Sequence, residues 1–557
     1  IGEVFAKGFV KNKILEFHGP GIQELSVEFR SGIDVMTTET TCLSSIWETD
    51  EKVEHFYSVH NRHDKYHPLS LTEPAAFDGV LQIDLSTIEP MIALPFHPSN
   101  AYPIREILSH GEDILATIDE AAEKQFGDLG KNLCMRKKWH DGGVWVEQGV
   151  IAGCAGGSYE NLAIAASILD GESTGKGDFA LSLYPASQAV ALSLVRNGYY
   201  TKAMEAGAIL KNAFCGPCFG AGDTPANGTL SIRHSTRNFP NREGSKPSGG
   251  QLSAVALMDA RSIAATAAKG GKLTPATECD PNRLLLKDPY TPDMTAYEKR
   301  IFSGFTKEDE KTELIFGPNI KDWPSMSPLP EHLILEVASQ ILDPVTTTDE
   351  LIPSGETSSL RSNPEKLSEF ALSRKDPGYV GRAKAFRAFE WERRKDPKAE
   401  KPLHLAEDIL QSIGQEGLLL LNSGHSLQAI GFGTTIFAMK PGDGSAREQA
   451  ASCQKVLGGW ANIAVDYATK RYRSNLINWG MIPFIVSEDI GKKLCVGDHL
   501  VVPRIHEAIS QGKETISAWH ITKDRKQVKT ITLSIQPLTE AERAIILAGC
   551  LINYYQA

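Results

Sequence analysis

The stretch Gly149-Val150-Ile151-Ala152-Gly153-Cys154 is a short apolar run that ends in a cysteine. Phe179-Ala180-Leu181-Ser182-Leu183 is a second buried-strand candidate, and a helical pattern follows each run. Strands that alternate with helices are typical of a mostly parallel sheet with helices on its faces. Ligand sites in such sheets form at the carboxyl ends of strands. The sequence therefore predicts an α/β fold and places Cys154 where a site would lie.

Two further cysteines, Cys215 and Cys218, form a CxxC that begins 61 residues after Cys154. A CxxC on its own is weak evidence, because it also occurs in zinc sites, redox dithiols and ordinary loops. Three thiolates together can hold an iron–sulfur cluster and leave one iron without a protein ligand. Such an open iron acts as a Lewis acid on a substrate oxygen. The three cysteines are therefore candidate cluster ligands.

The composition indicates a globular protein whose partners are small molecules. The chain has 557 residues and a net charge of −11, with 69 acidic and 58 basic side chains. This charge repels nucleic acids and anionic membrane surfaces in general. Nine cysteines without the dense spacing of a disulfide framework indicate a reducing compartment. The sequence has no apolar run of membrane-spanning length and no secretion signal. We therefore expect a cytoplasmic protein, or a mitochondrial-matrix one in a eukaryote.

The chain length predicts about three domains. Alternating strand-like and helical runs predict an α/β domain over residues 1–118 and a second one, with the cysteines, over residues 119–305. Residues 306–330 are predicted to be a linker, because three prolines near its end stiffen the chain and exclude a helix. Residues 331–557 are predicted to form a separate C-terminal domain. Its strand candidates are Leu500–Val502 and Thr530–Ile535.

Several motifs, in order along nearly the whole chain, resemble the aconitase family of iron–sulfur hydro-lyases. These enzymes interconvert hydroxy acids through an unsaturated acid. Beside the cysteines, the motifs are Glu16–Gly21 with Met36–Thr41, Thr236–Arg242, Thr347–Asp349 with Arg361, and Asp443–Glu448. The resemblance implies aconitase-like three-layer α/β domains followed by a C-terminal swivelling β/α domain. It also implies a 4Fe–4S cluster on Cys154, Cys215 and Cys218.

The resemblance assigns catalytic roles to three side chains. Ser445 would be the base that removes the proton next to a carboxylate, since a serine in a glycine loop beside an arginine can become an alkoxide with help from backbone amides. Glu39 and Asp349 would orient groups around the cluster and the base. A polycarboxylate substrate needs several guanidinium groups, because Arg binds carboxylate bidentately and keeps its charge. The arginines in matching positions are Arg237, Arg242, Arg361 and Arg447.

Each assignment has a simpler structural alternative. Ser445 and Asp349 can be helix caps, Glu39 can be a solvated carboxylate, and the arginines can form surface ion pairs. The histidines are irregularly spaced and no cysteine joins them, so we interpret them as structural. These histidines are His18, His55, His60, His63, His67 and His234. We interpret the other cysteines as buried apolar residues. They are Cys42, Cys134, Cys279, Cys453, Cys495 and Cys550.

The chain departs from the family pattern close to the cysteines. The family usually has asparagines where this chain has Val35 and Thr236, and Thr-Asn-Ser where it has Ala155-Gly156-Gly157. Groups that hydrogen-bond to the ligands of a cluster hold those ligands and tune its potential. We therefore expect these replacements to affect cluster stability and substrate choice.

The family's first domain has no counterpart in these residues. An Asp-Ser-His motif and histidine–carboxylate pairs that protonate the departing hydroxyl should precede Ile1, and the sequence holds no such motif. The difference is on the order of 200 residues, a typical domain. We expect the chain to be a fragment or one subunit of a split enzyme, with a missing N-terminal domain or partner subunit and little turnover alone.

The leading hypothesis is a hydro-lyase of the aconitate hydratase type that acts on citrate and isocitrate, as in the tricarboxylic acid cycle. Isopropylmalate, homocitrate and methylcitrate are alternative substrates, because they need the same apparatus. A cluster-free binding or regulatory protein, with RNA or a protein as partner, is a hypothesis of another class. A zinc protein is a third, although structural zinc prefers four ligands and the sequence offers no obvious fourth.

Overall fold

The computed structural model describes residues 8–40, 42–71, 74–301, 313, 315–353, 357–422 and 428–556. The chain divides into two compact units, Ile1–Thr312 and Glu313–Ala557. In the first unit the strands are β1 (Ile14–Phe17), β2 (Ser44–Trp47), β3 (Met91–Ala93), β4 (Ala101–Pro103), β5 (Trp139–His140), β6 (Gly143–Val144), β7 (Gln148–Ile151), β8 (Ala180–Leu183), β9 (Ile209–Leu210), β10 (Leu230–His234) and β11 (Ala254–Met258). The helices are α1 (Val27–Thr37), α2 (Glu51–Val59), α3 (Ile104–Phe126), α4 (Gly153–Gly156), α5 (Tyr159–Leu169), α6 (Gln188–Arg196), α7 (Tyr199–Glu205), α8 (Ala260–Ala268) and α9 (Thr295–Arg300).

A seven-stranded sheet in the order β4-β3-β11-β10-β7-β8-β9 organises the first unit. The five strands from β11 to β9 are parallel, and β3 and β4 add an antiparallel edge. β11 is buried along its whole length, as expected of a strand covered on both faces. The predicted strands before Cys154 and at residues 179–183 are β7 and β8. The predicted α/β class is confirmed.

Helices that bury most of their surface cover this sheet. In α5, nine of eleven residues are buried, and the helix packs against α7 and α8. Side-chain caps fix where the helices start, because they satisfy backbone N–H groups that a helix leaves without partners. Ser158 accepts from the N–H of Asn161 before α5, and Asp259 accepts from the N–H of Ser262 before α8.

The second unit contains nine strands and eleven helices within its described residues. The strands are β12 (His332–Ile341), β13 (Thr346–Thr347), β14 (Ile430–Ala438), β15 (Pro441–Asp443), β16 (Gly459–Ala464), β17 (Ile482–Ile485), β18 (His499–Val502), β19 (Thr515–Ile521) and β20 (Val528–Ser534). The helices are α10 (Thr348–Leu351), α11 (Pro364–Ser368), α12 (Tyr379–Lys395), α13 (Glu400–Gln411), α14 (Gln415–Asn422), α15 (Arg447–Val456), α16 (Lys470–Asn478), α17 (Glu488–Gly491), α18 (Ile505–Ser510), α19 (Glu540–Ala548) and α20 (Leu551–Gln556).

Seven of these strands close into a barrel in the order β12-β14-β16-β17-β20-β19-β18. The pairs from β12 through β17 are parallel, and the remaining pairs are antiparallel. β14 and β16 are buried along their whole length. The two strands predicted in the C-terminal part correspond to β18 and β20.

The proline-containing stretch before the barrel has neither helix nor strand over residues 321–330. Much of the rest of the predicted linker, residues 306–312 and 314, lies outside the described residues. β3 and β4 precede residue 118 and share the sheet of the strands that carry the cysteine segments. The division into domains at residues 118 and 305 stays a prediction. Among the described residues, none of the helices combines the length and the apolar character that a membrane span requires.

Candidate functional site

The three candidate cluster cysteines lie at the carboxyl end of the sheet in the first unit. Cys154 is in α4, directly after β7. Cys215 and Cys218 follow β9, and Cys215 precedes a 3₁₀ turn, Gly216–Cys218. β7, β8 and β9 are adjacent parallel strands, so their carboxyl ends meet at one edge. This is the position that the sequence predicts for them.

The thiols of these cysteines are close together. A Cβ atom built on Gly153 would lie 3.1 Å from Sγ of Cys218, which brings the Cys154 segment against the CxxC. A hydrogen bond to Cys215 and burial raise the pKa of the Cys218 thiol, and the charge of Cys154 adds to this effect. Cys154 and Cys215 are exposed, whereas Cys218 is buried. Metal binding requires deprotonated sulfur, so a bound metal would release the thiol protons.

Three thiols at one edge are a donor set suited to an iron–sulfur cluster, because thiolate is the usual protein ligand of such clusters. In the part of the chain that the structure describes, no three His, Cys, Asp or Glu side chains converge as ligands of one metal ion. A structural zinc ion needs four ligands in a compact tetrahedron. The three cysteines supply one ligand fewer than a closed zinc site needs.

Close backbone packing explains the two glycines that follow Cys154. A Cβ atom on Gly156 would lie 2.3 Å from the carbonyl oxygen of His234. A Cβ atom on Gly157 would lie 2.3 Å from the carbonyl oxygen of Tyr184. Real Cβ atoms do not come so close to backbone atoms, so α4 can pack here only with glycine at both positions. The departure from Thr-Asn-Ser is thus part of how this chain packs α4 against its neighbours.

The paired-arginine loop packs directly on the CxxC segment. Nε of Arg242 donates to the carbonyl oxygen of Cys218 at 3.2 Å. A Cβ atom on Gly220 would lie 2.7 Å from Cα of Gly244, so the two backbones pass in close contact. Arg242 therefore lies beside one of the three predicted ligands.

Arg237 and Glu39 form an ion pair, with 2.7 Å between Nε and Oε1. Only 6% of the Glu39 side chain and 19% of the Arg237 side chain are exposed, so Glu39 is not a solvated surface carboxylate. Glu39 lies in a 3₁₀ turn, Thr38–Thr40, after α1. α1 packs against α4, which carries Cys154. The first unit thus joins two of the predicted site residues directly.

The two positions at which the family usually has asparagine differ in burial. Val35 is half-buried on α1, and Thr236 is buried after β10. Neither side chain offers the paired donors of an amide. The buried Asn238 is an amide in the same loop, and its Nδ2 donates to the carbonyl oxygens of Ala93 at 3.1 Å and Leu94 at 2.8 Å. It anchors the loop to the segment after β3.

A buried arginine that the sequence analysis did not single out lies behind the CxxC. Arg233, on β10, is 1% exposed and donates from Nη1 to the carbonyl oxygen of Pro217 at 2.8 Å. Asp223, at the end of the same loop, accepts from the hydroxyl groups of Tyr184 and Ser182. Ser231 and Arg233 alternate with Leu230 and Ile232 in this strand, so the sequence pattern gives little signal that Arg233 is buried.

The described histidines do not form a second metal site. His234 is half-buried at the end of β10, and desolvation lowers its pKa to about 4, so the ring is neutral. His60 hydrogen-bonds through Nδ1 to the carbonyl oxygen of Phe56 at 2.7 Å. The structural role of the six histidines stays a prediction.

In the second unit, the segment before Asp349 and the segment of Ser445 lie side by side. β13 pairs in parallel with β15, with Thr347 opposite Asp443. Oγ1 of Thr348 accepts from the backbone N–H of Ala446 at 3.2 Å. A Cβ atom on Gly444 would lie 2.4 Å from Oγ1 of Thr348. Two predicted motifs that are far apart in sequence therefore form one local structure.

Neither Ser445 nor Asp349 is a helix cap. The N-cap of α15 is Ala446, and Ser445 is a half-buried residue before it. The N-cap of α10 is Thr347, which forms a capping box with Glu350. Asp349 forms an ion pair with Arg374. The structural alternatives for these two residues are therefore wrong.

The two arginines predicted in this unit differ in exposure. Arg447 is half-buried and begins α15, directly after the Ser445 loop. Arg361 is exposed and follows a 3₁₀ turn, Ser358–Leu360, which leads into α11. α11 packs against α15. Glu39, Arg237, Arg242 and the three cysteines belong to the first unit, and Asp349, Arg361, Ser445 and Arg447 belong to the second.

The fold and the thiols define an α/β protein with a cysteine site at the carboxyl edge of a parallel sheet. Residues 1–265 match a family model described as Aconitase family (aconitate hydratase). Over these residues the chain matches the aconitase family, and the resemblance that the motifs indicate is confirmed.

Curated relatives of known name match a similar length of chain. A 3-isopropylmalate dehydratase large subunit from Caldicellulosiruptor bescii is 29% identical over 252 residues, which cover 45% of this chain and 51% of the relative. The corresponding large subunit from Nitratidesulfovibrio vulgaris is 30% identical over 274 residues, which cover 49% of this chain and 56% of the relative. The chain thus spans about half the length of the curated relatives that it matches.

A solved structure is also similar to part of the chain. It is a crystal structure of 3-isopropylmalate dehydratase from Methanocaldococcus jannaschii. The match has 23% sequence identity and a TM-score of 0.24, and it covers 40% of this chain and 93% of that one.

Proposed function

We propose that this chain is the cluster-bearing part of an iron–sulfur hydro-lyase that dehydrates and rehydrates a small hydroxy acid. The observation that carries the proposal is the meeting of Cys154, Cys215 and Cys218 at one edge of the sheet, with Arg242 bonded to the backbone of Cys218. A cysteine site beside a guanidinium group combines metal binding with recognition of a carboxylate.

The cysteines would hold a 4Fe–4S cluster, which supplies, when bound, a Lewis-acidic iron for the substrate hydroxyl group. Arg242 would direct its guanidinium group at a substrate carboxylate, because its Nε is already engaged with Cys218. Glu39, paired with Arg237, would fix that arginine for a second carboxylate contact. These roles require only side chains that the first unit already brings together.

Ser445 would take the proton from the carbon next to a substrate carboxylate. Its loop is anchored by the bond between Thr348 and the N–H of Ala446, and it precedes the N-terminus of α15. A helix N-terminus and the adjacent guanidinium group of Arg447 favour negative charge on a nearby oxygen. Asp349, held by Arg374, and Arg361 would bind and orient the substrate from the same unit.

We propose an isopropylmalate-type substrate in place of citrate. The curated relatives carry the name 3-isopropylmalate dehydratase large subunit. Isopropylmalate has two carboxylates and an apolar branch, whereas citrate has a third carboxylate. The proposal also supports a place in leucine biosynthesis instead of the tricarboxylic acid cycle.

A protein partner is part of the proposal. The relatives are named as large subunits, and the chain matches about half of their length. The motif that the family uses to protonate the departing hydroxyl group is not among these residues. We propose that a further domain or subunit supplies this acid.

The test is iron and acid-labile sulfide content after anaerobic reconstitution, combined with ultraviolet detection of the unsaturated acid from 3-isopropylmalate or citrate. About four irons per chain, as in a cubane cluster, support the cluster site. The assay is run on this chain alone and on this chain mixed with the part of a 3-isopropylmalate dehydratase that this chain does not match. Faster conversion of 3-isopropylmalate than of citrate in either assay supports the proposed substrate. Absence of iron uptake would overturn the proposal, and salt-dependent RNA binding would then favour the binding-protein hypothesis.

A further inference from the structure

Arg233 is a buried cation with an unusual position. It lies on β10, in the middle of the seven-stranded sheet, and is 1% exposed. Burying a charged group costs several kcal/mol or more unless hydrogen bonds and nearby charges compensate. A protein keeps such a residue only where its contacts offset this cost, so its partners indicate what it does.

The guanidinium group of Arg233 makes four hydrogen bonds. Nη1 donates to the carbonyl oxygen of Pro217 at 2.8 Å, and Nη2 donates to the carbonyl oxygen of Asp223 at 2.6 Å. Pro217 lies between the two cysteines of the CxxC, and Asp223 ends the same loop. The other two bonds go to Oγ of Ser231 at 3.0 Å and to Oε1 of Gln148 at 3.1 Å.

These contacts fasten the cysteine loop to two strands of the sheet. Ser231 is on β10 and Gln148 is on β7, the strand that leads to Cys154. A planar guanidinium group presents its donors in a rigid fork, so it fixes the distance between the groups that accept from it. Arg233 therefore sets the position of the CxxC relative to β7, the strand that leads to Cys154.

The guanidinium group of Arg233 hydrogen-bonds to neutral acceptors. Its four bonded partners are two carbonyl groups, one hydroxyl group and one amide. The guanidinium group interacts at longer range with the carboxylates of Glu243 and Asp223 and with Cys218. Three thiolate ligands would bring three negative charges to this edge. A positive charge behind them reduces the cost of holding those charges out of water.

We propose that Arg233 is a positioning residue for the cluster, which holds the CxxC loop through Pro217 and Asp223 and offsets the negative charge of the three thiolates. This inference rests on the proposed function. It concerns how this chain supports the ligands, since Arg233 itself touches neither substrate nor iron in this role.

The test compares the wild-type chain with Arg233→Met and Arg233→Lys. Each is reconstituted anaerobically with iron and sulfide, and iron content and the cluster's midpoint potential are measured. For Arg233→Met we expect at least about tenfold weaker iron retention against a chelator, the usual cost of removing a group that supports metal ligands. We also expect a more negative midpoint potential, because loss of a positive charge disfavours the reduced cluster.

Arg233→Lys separates charge from geometry. Lysine keeps the positive charge but lacks the fork that spans two carbonyl groups. For Arg233→Lys we expect a midpoint potential close to that of the wild type. We expect its iron retention to lie between that of the wild type and that of Arg233→Met. If Arg233→Met does not fold, Arg233→Lys carries the test through the same two measurements.

The matched control is Arg30→Met, which removes a second buried guanidinium group from the same unit. Arg30 is 3% exposed and bonds to Ile22, Leu25 and Asp50. It should lower stability without changing the midpoint potential. If the wild type takes up no iron, both the proposed function and this inference are overturned. If the wild type and Arg233→Met bind iron with equal retention and equal potential, only the inference on Arg233 is overturned.

Discussion

Oγ1 of Thr348 accepts a hydrogen bond from the backbone N–H of Ala446 at 3.2 Å, across 98 residues of sequence. Ala446 is the N-cap of α15 and follows Ser445 directly. The Thr348 hydroxyl group thereby gives an acceptor to a buried backbone N–H group at the start of α15. The geometry of the Ser445 loop therefore depends on a residue of another motif.

Thr348→Val should loosen this loop while leaving the volume of the side chain almost unchanged. A buried N–H group without its acceptor costs about 1–3 kcal/mol. We expect amide hydrogen exchange over residues 444–447 to become at least about tenfold faster. The control is Thr539→Val, which removes a similar acceptor from the cap of α19 and should leave exchange in the Ser445 loop unchanged. Equal protection of the loop in Thr348→Val would contradict the anchoring role.

Ser445→Ala should remove turnover and leave the cluster's visible absorption intact. A general base contributes on the order of 10² to 10⁴ in rate, so kcat should fall by that factor at nearly constant iron content. The measurement is formation of the unsaturated acid by a complete, iron-loaded enzyme. Ser452→Ala, seven residues further along and buried in α15, should retain activity. Normal turnover of Ser445→Ala would exclude Ser445 from the mechanism.

The ion pair of Glu39 and Arg237 should be energetically coupled. Both side chains are largely buried, so Glu39→Gln leaves a guanidinium group with a weaker partner and should lower the free energy of unfolding by about 1–3 kcal/mol. A double-mutant cycle with Arg237→Met, followed by urea denaturation of the iron-free chain, measures the coupling. We expect at least about 1 kcal/mol. The exposed pair of Arg136 and Glu112 is the comparison, and its coupling should stay below about 0.5 kcal/mol.

Gly156→Ala should destabilise the first unit and prevent cluster assembly. Its Cβ atom would overlap the carbonyl oxygen of His234, and overpacking of this kind costs roughly 1–3 kcal/mol. Thermal unfolding and iron content after reconstitution report the two effects. Gly177→Ala is the matched control, because a Cβ atom there meets no heavy atom within 4 Å. If Gly156→Ala binds iron as the wild type does, the close packing of α4 does not govern the site.

Lys455 should make the stability of the second unit depend on pH. Its ammonium group is buried 3.6 Å over the ring of Trp460, and burial lowers its pKa to about 7. Between pH 7 and about 10.5 the unfolded chain binds a proton at this position that the folded chain does not, so the free energy of unfolding should rise with pH.

Lys455→Met should remove this rise and stabilise the protein at pH 7 by an amount on the order of 4 kcal/mol. Urea unfolding at several pH values between 7 and 10 measures the slope. Lys492→Met replaces an exposed lysine paired with Glu488 and should leave the slope as in the wild type. A wild-type slope that persists in Lys455→Met would show that other groups cause it.

The sequence predicted the strands that lead to the site because their signal is local. β7 and β8 are apolar runs of strand length, and parallel strands bring their carboxyl ends to one edge whatever the rest of the fold does. The position of Cys154 follows from this rule. The strands β18 and β20 were also predictable, although their closure into a barrel was not, because closure depends on pairing between distant strands.

The residues that hold the predicted site residues in place were not predictable from the sequence, because tertiary packing determines their hydrogen-bond partners. The burial of Arg233 is explained by its four acceptors, among them the carbonyl groups of Pro217 and Asp223, which come from another segment of the chain. Similarly, the sequence allowed Ser445 or Asp349 to be a cap. The structure gives those positions to Ala446 and Thr347.

The close packing of Gly156 and Gly157 also restricts how this protein can evolve. Any single replacement of Gly156 or Gly157 by a residue with a side chain drives its Cβ atom into the backbone of His234 or Tyr184. The neighbouring segments would have to move in the same step for the change to be tolerated. These two short contacts therefore make single substitutions at Gly156 and Gly157 unfavourable, and the glycines can change only together with the segments that pack on them.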